Sequence, residues 1–191
     1  SLANDITLSP IDRASNAMKK FSRLSDSEIV TPELVTGKMI DTIPEEAFTN
    51  DAKILDIASK QGEFVYAVCK KHGKQIANNF YSIPTSKVAY EFTRKVYKLL
   101  ELDLNNIEKS YTSYDLLEEN DLNSQTVIII NNSEMKFDVI VGNPPYQKSI
   151  STNTKNRSLS KQIFPDFIKT CIGLNPNYLS LVSPSRWFTG D

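Results

Sequence analysis

From residue 52 onward the chain alternates between two kinds of segment, and this alternation constrains its fold more than any other feature. Ala52 to Ile57 reads as a strand and Gly62 to His72 as a helix. Asn79 to Ile83 is again a strand, and Ser86 to Leu100 a helix with Val88, Phe92, Val96 and Leu99 on one face. Strand, helix, strand, helix implies a parallel sheet. Farther along come a Tyr-rich strand candidate at Ser110 to Tyr114, a turn at Glu118 to Ser124, the apolar run Thr126 to Ile130, and strands at Phe137 to Val141 and Tyr178 to Val182. Ile163, Phe164, Phe167, Ile168 and Cys171 have helical spacing, with Pro165 either kinking that helix or marking its true start. Ser151 to Ser158 is polar and aperiodic, which predicts a loop.

The first 50 residues follow a different pattern. A helix is expected near Ile11 to Leu24, and Thr31-Pro32 opens a second that ends before Pro44, since proline suits the first helical turn. The chain therefore divides into an N-terminal helical segment, 1–50, and an α/β core, 51–191. A doubly wound sheet normally carries further strands on its second edge, so the chain is expected to be the front part of a longer protein.

Composition narrows the class. The chain has 191 residues, 40% of them hydrophobic, enough for one domain with a sizeable core. With 22 basic and 23 acidic residues the formal charge is -1, which neither demands nor excludes a nucleic-acid partner. Cys69 and Cys171 lack the spacing of a zinc or redox site and read as buried thiols in a reducing cytoplasm. No metal is expected. No apolar run approaches the roughly 18 residues needed to span a bilayer. The single histidine, His72, ends a predicted helix within Lys70-Lys71-His72-Gly73-Lys74, where positive charge suits the helix dipole.

The segment Val139-Ile140-Val141-Gly142-Asn143-Pro144-Pro145-Tyr146 carries the chemistry. Ligands of open parallel sheets collect beyond the carboxyl ends of the strands, which is where a strand-terminating Asn-Pro-Pro-Tyr projects. Asn-Pro and Pro-Pro are also ordinary turn punctuation. By residue frequencies alone, Asn-Pro-Pro-aromatic arises in about one chain of this length in several hundred.

This segment resembles the catalytic motif of amino methyltransferases that use S-adenosylmethionine, especially adenine-specific DNA methyltransferases of type II restriction and modification enzymes. The resemblance implies a Rossmann-like methyltransferase fold, a mostly parallel sheet preceded here by N-terminal helices. Its chemistry accounts for the residue types. An exocyclic aromatic amine is a poor nucleophile because its lone pair is delocalised into the ring. The Asn143 side-chain oxygen and the Pro144 carbonyl would accept its two hydrogens, favouring a pyramidal nitrogen. Pro144 and Pro145 fix that carbonyl in advance, and Tyr146 offers a face on which an extruded base can stack.

Other segments fit the same family in the gamma-type motif order. Asp56-Ile57-Ala58-Ser59-Lys60-Gln61-Gly62-Glu63-Phe64 resembles the cofactor loop, matching at Asp56, Ala58, Gly62 and Phe64. The resemblance implies that Asp56 holds the ammonium of the methionine moiety and that Gly62 allows close backbone approach. It implies too that Thr31 and Pro32 touch the methionine end, and that Asp115 recognises the cofactor's adenine amine. Ser183-Pro184-Ser185-Arg186-Trp187-Phe188 resembles a segment of large restriction and modification enzymes. Two departures stand out. Lys60 and Gln61 replace the glycine and serine of the cofactor loop, and no carboxylate follows the second strand until Glu91, where the family places a ribose-binding acid.

Lys148, Lys155, Arg157 and Lys161 form a basic stretch without an acid directly after Tyr146, suited to phosphate, and Arg186 could line a base pocket. The expected partner is double-stranded DNA, with a target-recognition domain in the same parent chain and the 191 residues inactive alone. Two alternatives stay open. Glutamine-amide protein methyltransferases also use Asn-Pro-Pro-Tyr, and a methyltransferase-like module that has lost its cofactor would serve only to grip DNA or a partner.

Overall fold

The computed structural model describes residues 4–19, 29–119, 127–150 and 159–185. Its centre is a four-stranded, all-parallel sheet in the order β2-β1-β5-β8, built from β1 (Ile54–Ser59), β2 (Phe80–Pro84), β5 (Val139–Gly142) and β8 (Tyr178–Leu181). Ile107 adds a single parallel bridge to Ser82 at the β2 edge. The registers align Asp56 with Ser82 on one side and Val141 on the other, so the ends of β1 and β5 lie side by side.

Alternation along these strands decides which layer each side chain joins. Ile54, Val139 and Val141 point into one apolar cluster with Phe64, Val65, Val68, Val96 and Tyr97, whereas Leu55, Ile57 and Ile140 point into another with Phe137, Phe167 and Cys171. All six residues of β1 are buried, as expected for a central strand covered on both faces. The first layer is formed by α1 (Pro10–Met18), α2 (Glu33–Asp41), α3 (Glu63–Ala77) and α4 (Lys87–Leu99), and the second includes α5 (Ser113–Glu119) and α6 (Phe164–Gly173). Parallel strands with helices on both faces make this the expected Rossmann-like α/β fold. Ala14, Met18 and Ile40 of the N-terminal helices share the cluster that holds Ile54 and Val139.

Several boundaries differ from the sequence expectation. The helix expected to reach Leu24 ends at Met18, and positions 20–28 lie outside the described residues. Gly73, at φ 85°, interrupts α3 just after His72, and the chain then resumes helical geometry to Ala77. His72 does not act as a charged cap. Its ring stacks on Phe48 with centroids 4.0 Å apart, and burial pushes its pKa down despite Glu45 nearby.

On α4 the buried stripe is Ala89, Thr93, Val96 and Tyr97, while Val88 is 56% exposed. Small side chains at 89 and 93 let the helix approach the sheet, and the Thr93 and Ser59 hydroxyls meet at 3.0 Å. Pro165 marks the start of α6 and not a kink, standing in its first turn.

Ser110 to Tyr114 is not a strand. Thr112 and Asp115 form a reciprocal helix cap, the Asp115 carboxylate accepting from the Thr112 N–H at 2.8 Å and the Thr112 hydroxyl from the Asp115 N–H at 3.4 Å, and α5 starts there. The strand preference of the neighbouring tyrosines loses to that cap and to burial of Leu116. The apolar run instead supplies β3 (Ile128–Ile130), which pairs with β4 (Ser133–Met135) through Asn131 and Asn132, both at positive φ as a two-residue hairpin demands. After Asn143 to Tyr146, β6 (Gln147–Ile150) pairs antiparallel with β7 (Leu159–Gln162).

Candidate active site

The site forms where β1 and β5 end. Gly142, the last residue of β5, packs so closely that a Cβ there would lie 3.1 Å from the Ile57 side chain and 3.5 Å from the Asp56 carboxylate. Glycine therefore lets β5 deliver Asn143 directly beside Asp56. The sheet ladder stops at the same point, where the Val182 N–H donates to the Gly142 carbonyl at 3.0 Å.

Beyond it, Pro144 and Pro145 have no N–H to donate, so the loop is anchored through carbonyls and side chains. The Lys60 ammonium donates to the Asn143 carbonyl at 2.7 Å. The Asn143 side-chain amide donates to the Thr31 hydroxyl at 3.1 Å, and the Ile163 N–H donates to the Tyr146 carbonyl at 3.0 Å. Tyr146 is half-buried and meets Phe164 edge-on, ring centroids 5.6 Å apart.

Two buried carboxylates define the electrostatics. Asp56 is fully buried. One of its oxygens accepts from the Ala58 N–H at 3.1 Å, and the other has no hydrogen-bond partner. Burial raises its pKa well above the usual carboxylate range, and the charge of Glu63 raises it further, against the opposing pull of the Ala58 N–H and of Lys60. Such an oxygen is a ready acceptor for a cationic ligand, because an unpaired buried carboxylate is costly.

Glu63, at the first position of α3, accepts from the Gln61 N–H at 3.0 Å and the Thr31 N–H at 3.4 Å. It thereby ties the Thr31-Pro32 segment to the loop between β1 and α3. Gly62 takes a left-handed conformation, φ 79°, and a Cβ there would meet Val96 at 3.2 Å. Pro32 caps α2, and Phe64 is a core residue of α3. Thr31, Pro32, Gln61 and Glu63 line a cavity of about 200 Å³, together with Met18 and Val30.

The structure thus brings Thr31, Asp56, Ala58, Gly62 and Asn143 together. Asp115 is exposed, and its carboxylate accepts from the Thr112 N–H at the start of α5. Lys148 and Lys161 face each other across the β6–β7 pair. The Lys148 ammonium stands 5.9 Å from the Tyr114 ring centroid, and Lys161 pairs with Asp166 at 3.6 Å. Lys155, Arg157 and Arg186 lie outside the described residues.

Sequence reasoning missed four participants. Glu63 and Lys60 act through contacts that no local pattern encodes. Thr85, directly after β2, and Ser113, the first residue of α5, each bury a hydroxyl with no hydrogen-bond partner. A signal was available only for Thr85, as a small polar residue directly after a buried strand and before a helix.

The chain is 36% identical over 84 residues, 44% of its own length, to an uncharacterized adenine-specific methylase from Mycoplasma pneumoniae. It spans about a fifth of that relative's length. No solved structure matches. A family model described as Eco57I restriction-modification methylase matches residues 78–191, a span that includes Asn143 to Tyr146 and lies beyond the Asp56 to Phe64 loop. The chain belongs to the Eco57I restriction-modification methylase family.

Proposed function

We propose that this chain carries the catalytic part of an enzyme that methylates the exocyclic amine of adenine in DNA within a restriction-modification system. The observation that carries the reading is the placement of Asn143. Its amide nitrogen is committed to Thr31, which leaves the side-chain oxygen as an acceptor at the carboxyl end of the sheet, one strand away from Asp56.

The residues present fit S-adenosylmethionine. A buried carboxylate oxygen without a partner, on Asp56, suits the ammonium of its methionine end. The backbone at Gly62 and the Thr31-Pro32 segment complete that side, with the Thr85 and Ser113 hydroxyls available to its nucleoside half. When bound, the cofactor supplies an activated methyl group on a sulfonium, so no strong general base is required.

The chain's own contribution is orientation. The Asn143 oxygen and the Pro144 carbonyl accept the two N–H groups of the target amine, turning its lone pair out of the ring plane. Pro144 and Pro145 hold that carbonyl in place before the substrate arrives, so little reorganisation is needed at reaction. Tyr146, held edge-on by Phe164, presents its remaining face for stacking of an extruded base.

The hairpin after Tyr146 supports DNA as the partner. Lys148 and Lys161 occupy facing positions and place two ammonium groups on the hairpin that follows Tyr146, where they suit a phosphate backbone, Lys161 being paired with Asp166 as well. Lys155, Arg157 and Arg186 are assigned to the same contact from the sequence, as is Asp115 to the cofactor's adenine. Reading of the DNA sequence is assigned to a further domain of the parent chain. Incubating the full-length protein with labelled cofactor and either DNA or a glutamine-containing peptide tests the proposal: label in DNA is expected, and label in peptide alone would refute it.

A further inference from the structure

We infer that Lys60 is a positioning residue for methyl transfer, fixing the peptide between Asn143 and Pro144 from the loop that follows β1. The inference rests on the reading of Asn143 and Pro144 given above.

The observation is a short hydrogen bond in an unusual setting. Lys60 is 2% exposed, and its ammonium donates to the Asn143 carbonyl at 2.7 Å. A buried ammonium is retained only where it is paired and hydrogen-bonded. Here its charge also offsets that of Asp56, which it favours in the ionised form. The carbonyl it holds is the first one past the β5–β8 ladder, whose last bond runs from Val182 to Gly142. Without Lys60, no sheet bond orients the peptide plane on which the acceptor loop begins.

The consequence is geometric. The peptide that carries the Asn143 carbonyl ends at the Pro144 nitrogen, and the proline ring fixes the next φ. Because Pro145 confines the Pro144 ψ to the extended region, setting that plane sets the direction of the Pro144 carbonyl, one of the two acceptors for the target amine. The Asn143 side chain is set separately, by Thr31. Lys60 and Thr31 thus hold the two acceptors through separate contacts, one on the backbone and one on the side chain. A charged donor makes this anchor stronger than a neutral one. The lysine at this position reads as a substitution with a role and not as a defect of the cofactor loop.

The test compares Lys60→Met and Lys60→Arg in the full-length protein, with the cofactor at saturation and with its dissociation constant measured separately. Lys60→Met is expected to lower the rate of methyl transfer about 10- to 100-fold, the range for one hydrogen bond to a charged group. The loss of rate at saturating cofactor should exceed any change in cofactor affinity through Asp56, and Lys60→Arg should recover part of the rate.

A spectroscopic readout accompanies it. With carbonyl-labelled asparagine and nitrogen-labelled proline, this chain gives signals from its two Asn-Pro bonds, 143–144 and 175–176. The carbonyl signal of Asn143 should move upfield in Lys60→Met while that of Asn175 stays. An unchanged transfer rate, an unmoved Asn143 signal, or a loss confined to cofactor affinity would each overturn the inference. A wild-type protein that methylates no DNA would instead sink the functional reading itself, which separates the two failures.

Discussion

The side-chain amide of Asn143 donates to the hydroxyl of Thr31 at 3.1 Å, joining two residues 112 positions apart in the chain. Thr31 is buried, 4% exposed, so this hydroxyl competes little with water for its partner. The contact fixes which end of the amide faces away from the N-terminal segment.

Replacing Thr31 with Val keeps the shape and removes the acceptor. The Asn143 amide is then free to rotate, and transfer to DNA should fall about tenfold, the worth of one net hydrogen bond. Thr31→Ser should remain close to wild type. Single-turnover rates of the full-length protein check both.

Gly62→Ala should destabilise the fold for two separable reasons. A left-handed backbone costs a residue with a Cβ about 1–2 kcal/mol, and the new methyl meets the Val96 side chain at 3.2 Å. Adding Val96→Ala removes the Cγ1 contact at 3.3 Å, while alanine keeps the Cβ at 3.2 Å and the backbone term remains. Urea unfolding of the single and double variants should show the second substitution costing less in the Gly62→Ala background than in wild type.

Glu63→Gln tests the link between the Thr31-Pro32 segment and the loop after β1. The carboxylate accepts from two N–H groups while 2% exposed. An amide can offer only one acceptor oxygen, and its NH₂ would face a donor. A loss of about 2 kcal/mol in unfolding free energy is expected, together with weaker cofactor binding by calorimetry.

The pH dependence follows from Asp56. Its folded pKa is raised, chiefly by burial, above the ordinary 3.8, so between these two values the folded state holds more protons than the unfolded state. Stability from this group is therefore greatest below pH 3.8 and declines as pH rises through the raised value. Asp56→Asn should remove that decline. A cationic ligand beside the carboxylate favours its ionised form, so S-adenosylmethionine binding below the raised pKa should release a proton. Calorimetric titration in buffers of different ionisation enthalpy measures that release.

The parallel sheet was legible from the alternation of strands and helices because both faces of β1 and β5 are buried and their residues are mostly apolar. Asn143 to Tyr146 could be located from sequence because two adjacent prolines after a buried strand leave few alternatives. The start of α5 was not legible. Its neighbours Tyr111 and Tyr114 favour a strand, and only the Thr112–Asp115 cap and the burial of Leu116 reverse that preference. The buried face of α4 was displaced by about one residue because the small side chains Ala89 and Thr93, and not the large Val88 and Phe92, set the approach to the sheet. Lys60 and Glu63 were beyond sequence reading for a different reason. Each works by reaching another segment, Asn143 in one case and Thr31 in the other, and such contacts depend on the assembled fold.

The most direct test of the account is to incubate the full-length protein and its Asn143→Ala variant with S-adenosylmethionine and DNA, digest the DNA to nucleosides, and measure N6-methyladenine by mass spectrometry. The wild type should produce it, and Asn143→Ala should lose it while still binding cofactor and DNA. Methylation that survives the substitution, or that appears on another base or only on protein, would contradict the assignment of Asn143.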